Sequence, residues 1–191
     1  WIDRWFARRC SGRLPAGVAI VRTEQDNVGR ALDGVDLGGS EQAYVAAKGA
    51  VSEGAEFELN GALTDNLQLT FGATRYVARD QSGRFNSYQP QTSFKLFTRY
   101  QLVAIPDLTI GGGVHWQNRV FKDVTNASGD SVRVYQGSYP LASLFARYQV
   151  NKQVAVQANV DNLFDREYYS YMNSYVYGEP RNVNVSVSWQ F

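Results

Sequence analysis

From Val183 to Phe191 the chain reads Val-Asn-Val-Ser-Val-Ser-Trp-Gln-Phe, apolar at every odd position and polar at every even one. Successive side chains of an extended backbone point to opposite faces, so this segment has one fully apolar face and one fully polar face. The same two-residue period returns along most of the chain. Leu14, Ala16, Val18 and Ile20 share a face, as do Ala55, Phe57, Leu59, Gly61 and Leu63 opposite Glu56, Glu58 and Asn60. Leu67, Leu69, Phe71 and Ala73 alternate with Gln68, Thr70, Gly72 and Thr74. Further runs carry Phe94 to Leu102, Leu108 to Trp116, Ala142 to Val150, and Val154 to Val160. Turn-forming residues bound each run, and the pattern predicts about eight antiparallel strands in an up-and-down meander.

The connections alternate in length. Those near residues 65, 106 and 152 are short, and those near 36, 85, 128 and 173 are long. Membrane-spanning barrels sort their connections this way, with short turns on the inner side and long loops outside. Aromatics make up 14% of the chain, with twelve Tyr and ten Phe, which suits girdles at two water interfaces. No run approaches the ~18 apolar residues that a spanning helix requires. The expected fold is therefore all-β, a transmembrane barrel segment whose apolar face meets lipid and whose polar face meets a watery lumen. The alternation sends Glu56, Glu58, Lys95, Arg99, Arg147 and Asp161 to the lumen, where a charge costs little. Two other readings stay open here. One is a small autonomous outer-membrane barrel with a structural or adhesive role, and the other is a soluble ligand-binding barrel.

The formal net charge of +1 argues against nucleic acid as a partner. Cys10 is the single cysteine, so no internal disulfide forms. Residues 1–12 stand apart: Trp1 to Cys10 lacks alternation and holds Arg4, Arg8 and Arg9. They are expected to be a non-native or irregular leader, with the barrel portion over 13–191. The chain opens on Trp1 without a Met or an export signal, and a barrel must be exported, so a piece of a longer protein is expected.

Residues with chemical potential are few. His115 is the only histidine, which supplies neither a metal site nor a base for serine chemistry. No catalytic residue and no metal ligand is expected. Gly111-Gly112-Gly113 lacks the Lys-Ser/Thr of a phosphate loop and fits close approach between neighbouring elements. Asp161-Asn162-Leu163-Phe164-Asp165 breaks the alternation and suggests a bulge or bend. The last long connection carries Tyr168, Tyr169, Tyr171, Tyr175 and Tyr177. Flat amphipathic rings give contact area at low entropic cost, so Tyr169, Tyr171, Tyr175 and Tyr177 are candidate ligand contacts, with loop packing or an interfacial girdle as the plainer alternative.

Several passages together resemble the TonB-dependent outer-membrane receptors for ferric siderophores, of the ferric-hydroxamate and ferric-pyoverdine type. They are Ser52 to Gly61 (SEGAEFELNG), Leu108 to Asn118 (LTIGGGVHWQN), Asn159 to Tyr169 (NVDNLFDREYY), and Tyr177 to Asn182 (YGEPRN) before the Phe-ended strand. The resemblance implies a bacterial outer-membrane location and part of a larger barrel of 22 strands with a plugged lumen. It also implies import of a ferric siderophore energised by the TonB complex through a part N-terminal to this chain. Iron would arrive already chelated, so no resident cofactor is implied. Outer-membrane lipid is the implied surroundings, and Val183, Val185, Val187, Trp189 and Phe191 would form the signal read by the barrel-assembly machinery.

Overall fold

The computed structural model describes residues 13–32, 43–79, 83 and 87–191, together with the backbone of 4–10. In chain order the strands begin with β1 (Arg4–Cys10), β2 (Ala16–Glu24), β3 (Val28–Ala31), β4 (Tyr44–Ala47) and β5 (Val51–Ala62). They continue with β6 (Leu67–Arg79), β7 (Thr92–Gln101), β8 (Leu108–Gln117), β9 (Val120–Thr125) and β10 (Ser131–Gln136). The last are β11 (Tyr139–Gln149), β12 (Val154–Asp161), β13 (Tyr169–Tyr171), β14 (Val176–Tyr177) and β15 (Asn182–Trp189).

Among the described residues nine strands form one sheet, in the order β1-β2-β5-β6-β7-β8-β11-β12-β15. Each neighbouring pair is antiparallel, as the meander requires. The remaining six strands make three hairpins, β3–β4, β9–β10 and β13–β14, which fold up long connections. The sheet has one strand more than the eight expected. The addition is β1, inside the segment set apart as an irregular leader, paired in register from Arg4↔Arg22 to Cys10↔Ala16. The reason is a backbone one. The free side of β2 offers N–H and C=O groups that any extended segment can satisfy, and side-chain patterning does not report that demand.

Directly paired residues share a face, so the ladders test the assignment of faces. One row runs Val18, Phe57, Ala73, Phe94, Trp116 and Pro140. Another runs Leu67, Tyr100, Ile110, Ala146, Ala158 and Val185. The apolar groups of all these strands therefore form one continuous wall. It is not sealed: Phe57 is 38% exposed, Ile110 41% and Val185 65%. Among the described residues the buried apolar side chains are Val120, Tyr139, Ala155 and Met172, too few for a core. A single layer with an exposed greasy wall needs an apolar medium outside itself.

The wall has the height of a bilayer core. Pro140 on β11 and Val150 just past its end bound the wall there, ten residues apart, about 34 Å of extended chain at ~3.4 Å each. A tilt of about 45° turns that length into ~24 Å, close to the ~25 Å apolar band of such barrels. Phe94 and Trp116, at the long-loop ends of β7 and β8, stack with centroids 5.3 Å apart, and lower on the wall Phe57 lies 6.0 Å from Phe71. The opposite face carries Arg99, Arg147, Gln157 and Asn159 in neighbouring rows. Phe97 and Phe145 stack there at 5.6 Å, with Gly111 beneath them, where a Cβ would collide with the Phe145 ring and the Thr98 carbonyl.

A tyrosine cluster at the long-loop rim

The site is set up where β12 ends. Asn162 and Asp165 both take left-handed backbone conformations, with φ of 48° and 52°, which fold the chain back on itself. Asn162 is buried, and its Nδ2 donates to the carbonyls of Arg166 at 2.9 Å and Glu179 at 3.0 Å. Its Oδ1 accepts from the Arg166 N–H at 2.8 Å. Asp165 Oδ1 accepts from the Arg181 N–H at 2.8 Å. The break in alternation is thus a clasp, joining the two feet of the loop.

The four candidate tyrosines all lie on the hairpin above this clasp, and three of them meet. Tyr169 pairs with Tyr177 across β13–β14, with ring centroids 4.7 Å apart, and Tyr175 meets the Tyr169 ring edge-on at 5.9 Å. The Tyr169 hydroxyl donates to that of Tyr177 at 3.4 Å. That hydrogen bond, then the neighbouring phenolic charge, raises the Tyr169 pKa above its ordinary 10.0, so the Tyr169 hydroxyl keeps its proton at physiological pH. Tyr171 pairs with Val176 instead and stays 48% exposed, apart from the other three.

The sequence reading missed the residues that hold this cluster. Lys122 on β9 donates to the Asn173 carbonyl at 2.8 Å and places its ammonium 5.6 Å from the Tyr175 ring centroid. Gln136 on β10 brackets Tyr169, accepting from its N–H and donating to its carbonyl at 3.3 Å. Tyr168, also on this loop, packs on Tyr139 at 4.9 Å, directly over Gly178, where any side chain would collide with its ring. These partners lie about thirty to fifty residues away in sequence (Gln136 33 and Lys122 51), so no local pattern announces them. Among the described residues no group of His, Cys, Asp and Glu is arranged to hold a metal ion. His115 faces Lys95 and Leu141 across the polar-face ladder. Val183, Val185, Val187 and Trp189 project from β15 on the apolar face, and Phe191 follows the strand's end.

Residues 3–163 match the family described as "TonB dependent receptor-like, beta-barrel". The chain belongs to that family. The TonB-dependent receptor barrel is an outer-membrane fold, and with it the exposed apolar wall is assigned to lipid and the long-loop rim to the cell exterior. The family consists of transporters rather than enzymes. The ferric-pyoverdine BN7/BN8 receptor of Pseudomonas putida is 39% identical over 95% of this chain and 21% of its own length. The ferripyoverdine receptor of Pseudomonas aeruginosa is 36% identical over 78% of this chain and 19% of its own length. The crystal structure of the outer-membrane ferripyoverdine receptor of Pseudomonas aeruginosa, bound to ferripyoverdine, superposes with a TM-score of 0.84 at 31% identity. That superposition covers 94% of this chain and 25% of the other. The chain spans about a fifth of the curated relatives it matches, as part of a barrel wall.

Proposed function

We propose that these strands form part of the wall of a receptor that binds a ferric siderophore of the pyoverdine class at its outer rim and imports it. Energy would come from the TonB complex through a part outside this chain, and a plug outside this chain would close the lumen. Iron arrives as the chelate, with no resident cofactor, and the protein makes and breaks no covalent bond. Tyr169, Tyr175 and Tyr177 offer the chelate a rigid aromatic surface, and Tyr171 adds an exposed ring beside it. The alternating residues Val183, Val185, Val187, Trp189 and Phe191 serve as the signal for the barrel-assembly machinery.

The observation that carries this reading is the buttressing of the tyrosine hairpin. Lys122 and Gln136 reach over from another extracellular hairpin and hold three rings in one geometry. A preorganised aromatic cluster lowers the ordering cost of binding, whereas loop filling needs no such partners. The test is equilibrium binding of radioiron-labelled ferric-pyoverdine to the receptor carrying these strands. A Tyr169→Ala/Tyr177→Ala variant should bind at least about tenfold more weakly, the scale of losing ~1.4 kcal/mol of contact. Unchanged affinity in a correctly assembled variant rejects the ligand role of the cluster.

A further inference from the structure

We infer that the turn joining β7 to β8 is a membrane anchor, its apolar tip of Val103 and Ile105 set among the phospholipids of the inner leaflet. This inference rests on the membrane placement of the wall and is independent of the siderophore reading.

Among the described residues, the turns joining β5 to β6, β7 to β8 and β11 to β12 lie at the end of the sheet opposite the tyrosine hairpin, and two of them are polar. The β5–β6 turn runs Leu63-Thr64-Asp65-Asn66, and Thr64 Oγ1 accepts from the N–H groups of Asn66 and Leu67 at 3.3 and 3.1 Å. The β11–β12 turn runs Val150-Asn151-Lys152-Gln153. There Asn151 Oδ1 accepts from the N–H groups of Gln153 and Val154, each at 2.9 Å. The β7–β8 turn instead reads Leu102-Val103-Ala104-Ile105-Pro106-Asp107, with no polar side chain before Asp107. Val103 is 68% exposed and Ile105 46%. In water, two branched apolar side chains at a turn forgo the stabilisation that an apolar medium gives them.

The backbone of this turn suits such a medium. Gln101, in the lumen register opposite Thr109, donates from Nε2 to the Pro106 carbonyl at 2.8 Å. The Ile105 carbonyl accepts from the Leu108 N–H and the Asp107 carbonyl from the Gln149 N–H, both at 2.9 Å. Pro106 has no N–H to satisfy. Three successive carbonyls are thereby paired without any side chain of the tip, as backbone against lipid requires. The turn's one charge, Asp107, falls in the lumen register of Thr109.

Continuity with the wall names the occupant. The Leu102 N–H donates to the Leu108 carbonyl at 3.0 Å, and Leu108 pairs with Tyr148, all in the lipid-facing register. Val150, exposed at the end of the neighbouring strand, extends the same surface. Val103 follows Leu102 directly and Ile105 lies two residues further on. Tilted chain of that length reaches roughly 5–7 Å past the wall. The headgroup zone on each side of a bilayer is ~5–7 Å deep, so the tip stays inside the membrane interface.

The test uses the assembled receptor carrying Cys10→Ser, reconstituted in vesicles of phosphatidylethanolamine and phosphatidylglycerol. A nitroxide spin label is attached at Val103→Cys or Ile105→Cys, and its collisions with lipid-soluble oxygen are compared with those with a water-soluble nickel chelate. Both labels should favour oxygen at least about threefold more than a label at Lys152→Cys on the polar turn. A label at Ala158→Cys reports the wall itself, so a failed membrane placement is told apart from a turn that stands in water. Val103→Asn/Ile105→Asn should lower the equilibrium constant for refolding into the vesicles about tenfold, and Lys152→Asn less than about twofold. The labels decide the matter if the double variant does not refold. A Val103 label as open to nickel as that at Lys152 overturns the inference and leaves the tip to a protein partner. A label shielded from both agents overturns it too, as does a refolding constant unchanged in the double variant.

Discussion

Asn162 and Glu179 are seventeen residues apart, and one hydrogen bond of 3.0 Å, from the Asn162 side chain to the Glu179 carbonyl, joins the foot where the tyrosine loop leaves the barrel to the foot where it returns. The same amide also holds Arg166, so a single buried side chain fixes both the bend after β12 and the approach to β15. Everything the loop presents to the exterior is aimed from this point.

Asn162→Ala should therefore loosen the loop without unmaking the sheet. It strands two carbonyls and one N–H and puts a β-carbon residue without a compensating side chain at φ 48°. The expected cost is about 2–4 kcal/mol. Hydrogen exchange should rise across residues 163–181 while the amides of β11 and β12 stay protected. Protection of the loop equal to wild type would show that the clasp is dispensable.

The stack of Phe97 on Phe145 has room only because position 111 lacks a β-carbon. Gly111→Ala should destabilise the barrel by about 1–3 kcal/mol through overpacking. Gly72→Ala, with nothing within 4 Å of the added methyl, should stay within about 0.5 kcal/mol of wild type. Urea unfolding in detergent micelles compares the two, and equal effects would contradict the packing described here.

Adjacent residues on β12 provide the sharpest test of the two faces. Ala158 lies between Ala146 and Val185 on the wall, whereas Gln157 lies between Arg147 and Ser186 on the polar face. Ala158→Lys should cost about 2–4 kcal/mol in refolding into lipid vesicles, and Gln157→Lys less than about 1 kcal/mol. Reversal of that order would place lipid on the other side.

The β9–β10 hairpin should loosen in acid. Asp123 accepts from Arg133 at 2.7 Å and 3.0 Å, and these hydrogen bonds hold its carboxyl below the ordinary value of 3.8. A carboxyl depressed in the folded state stabilises it at pH above the unfolded value, and the contribution disappears as pH falls through the lower, folded one. Amide protection in Ser131–Gln136 should drop in that acid window, and Asp123→Asn should remove the step. Because both groups are exposed, raising salt should weaken the effect.

Much of this protein was legible because one covalent rule runs through it. Side chains alternate along an extended backbone wherever it lies, so the apolar wall, the polar face and the order of short and long connections could all be read from the residues alone. The break at Asn162 was visible too, as an interruption of the period. What that break does was not, because its partner Glu179 is reached only when the loop closes.

The amino-acid sequence by itself determined the class of fold, the face of nearly every spanning residue and the tyrosine-rich hairpin as the place to look for a ligand. Only the tertiary structure decided that β1 joins the sheet and that Lys122 and Gln136 brace the tyrosines. The division has a physical cause. Facing is set by the two-residue period within each strand, whereas height and contact depend on the register between strands, which comes into being only when distant backbone groups pair.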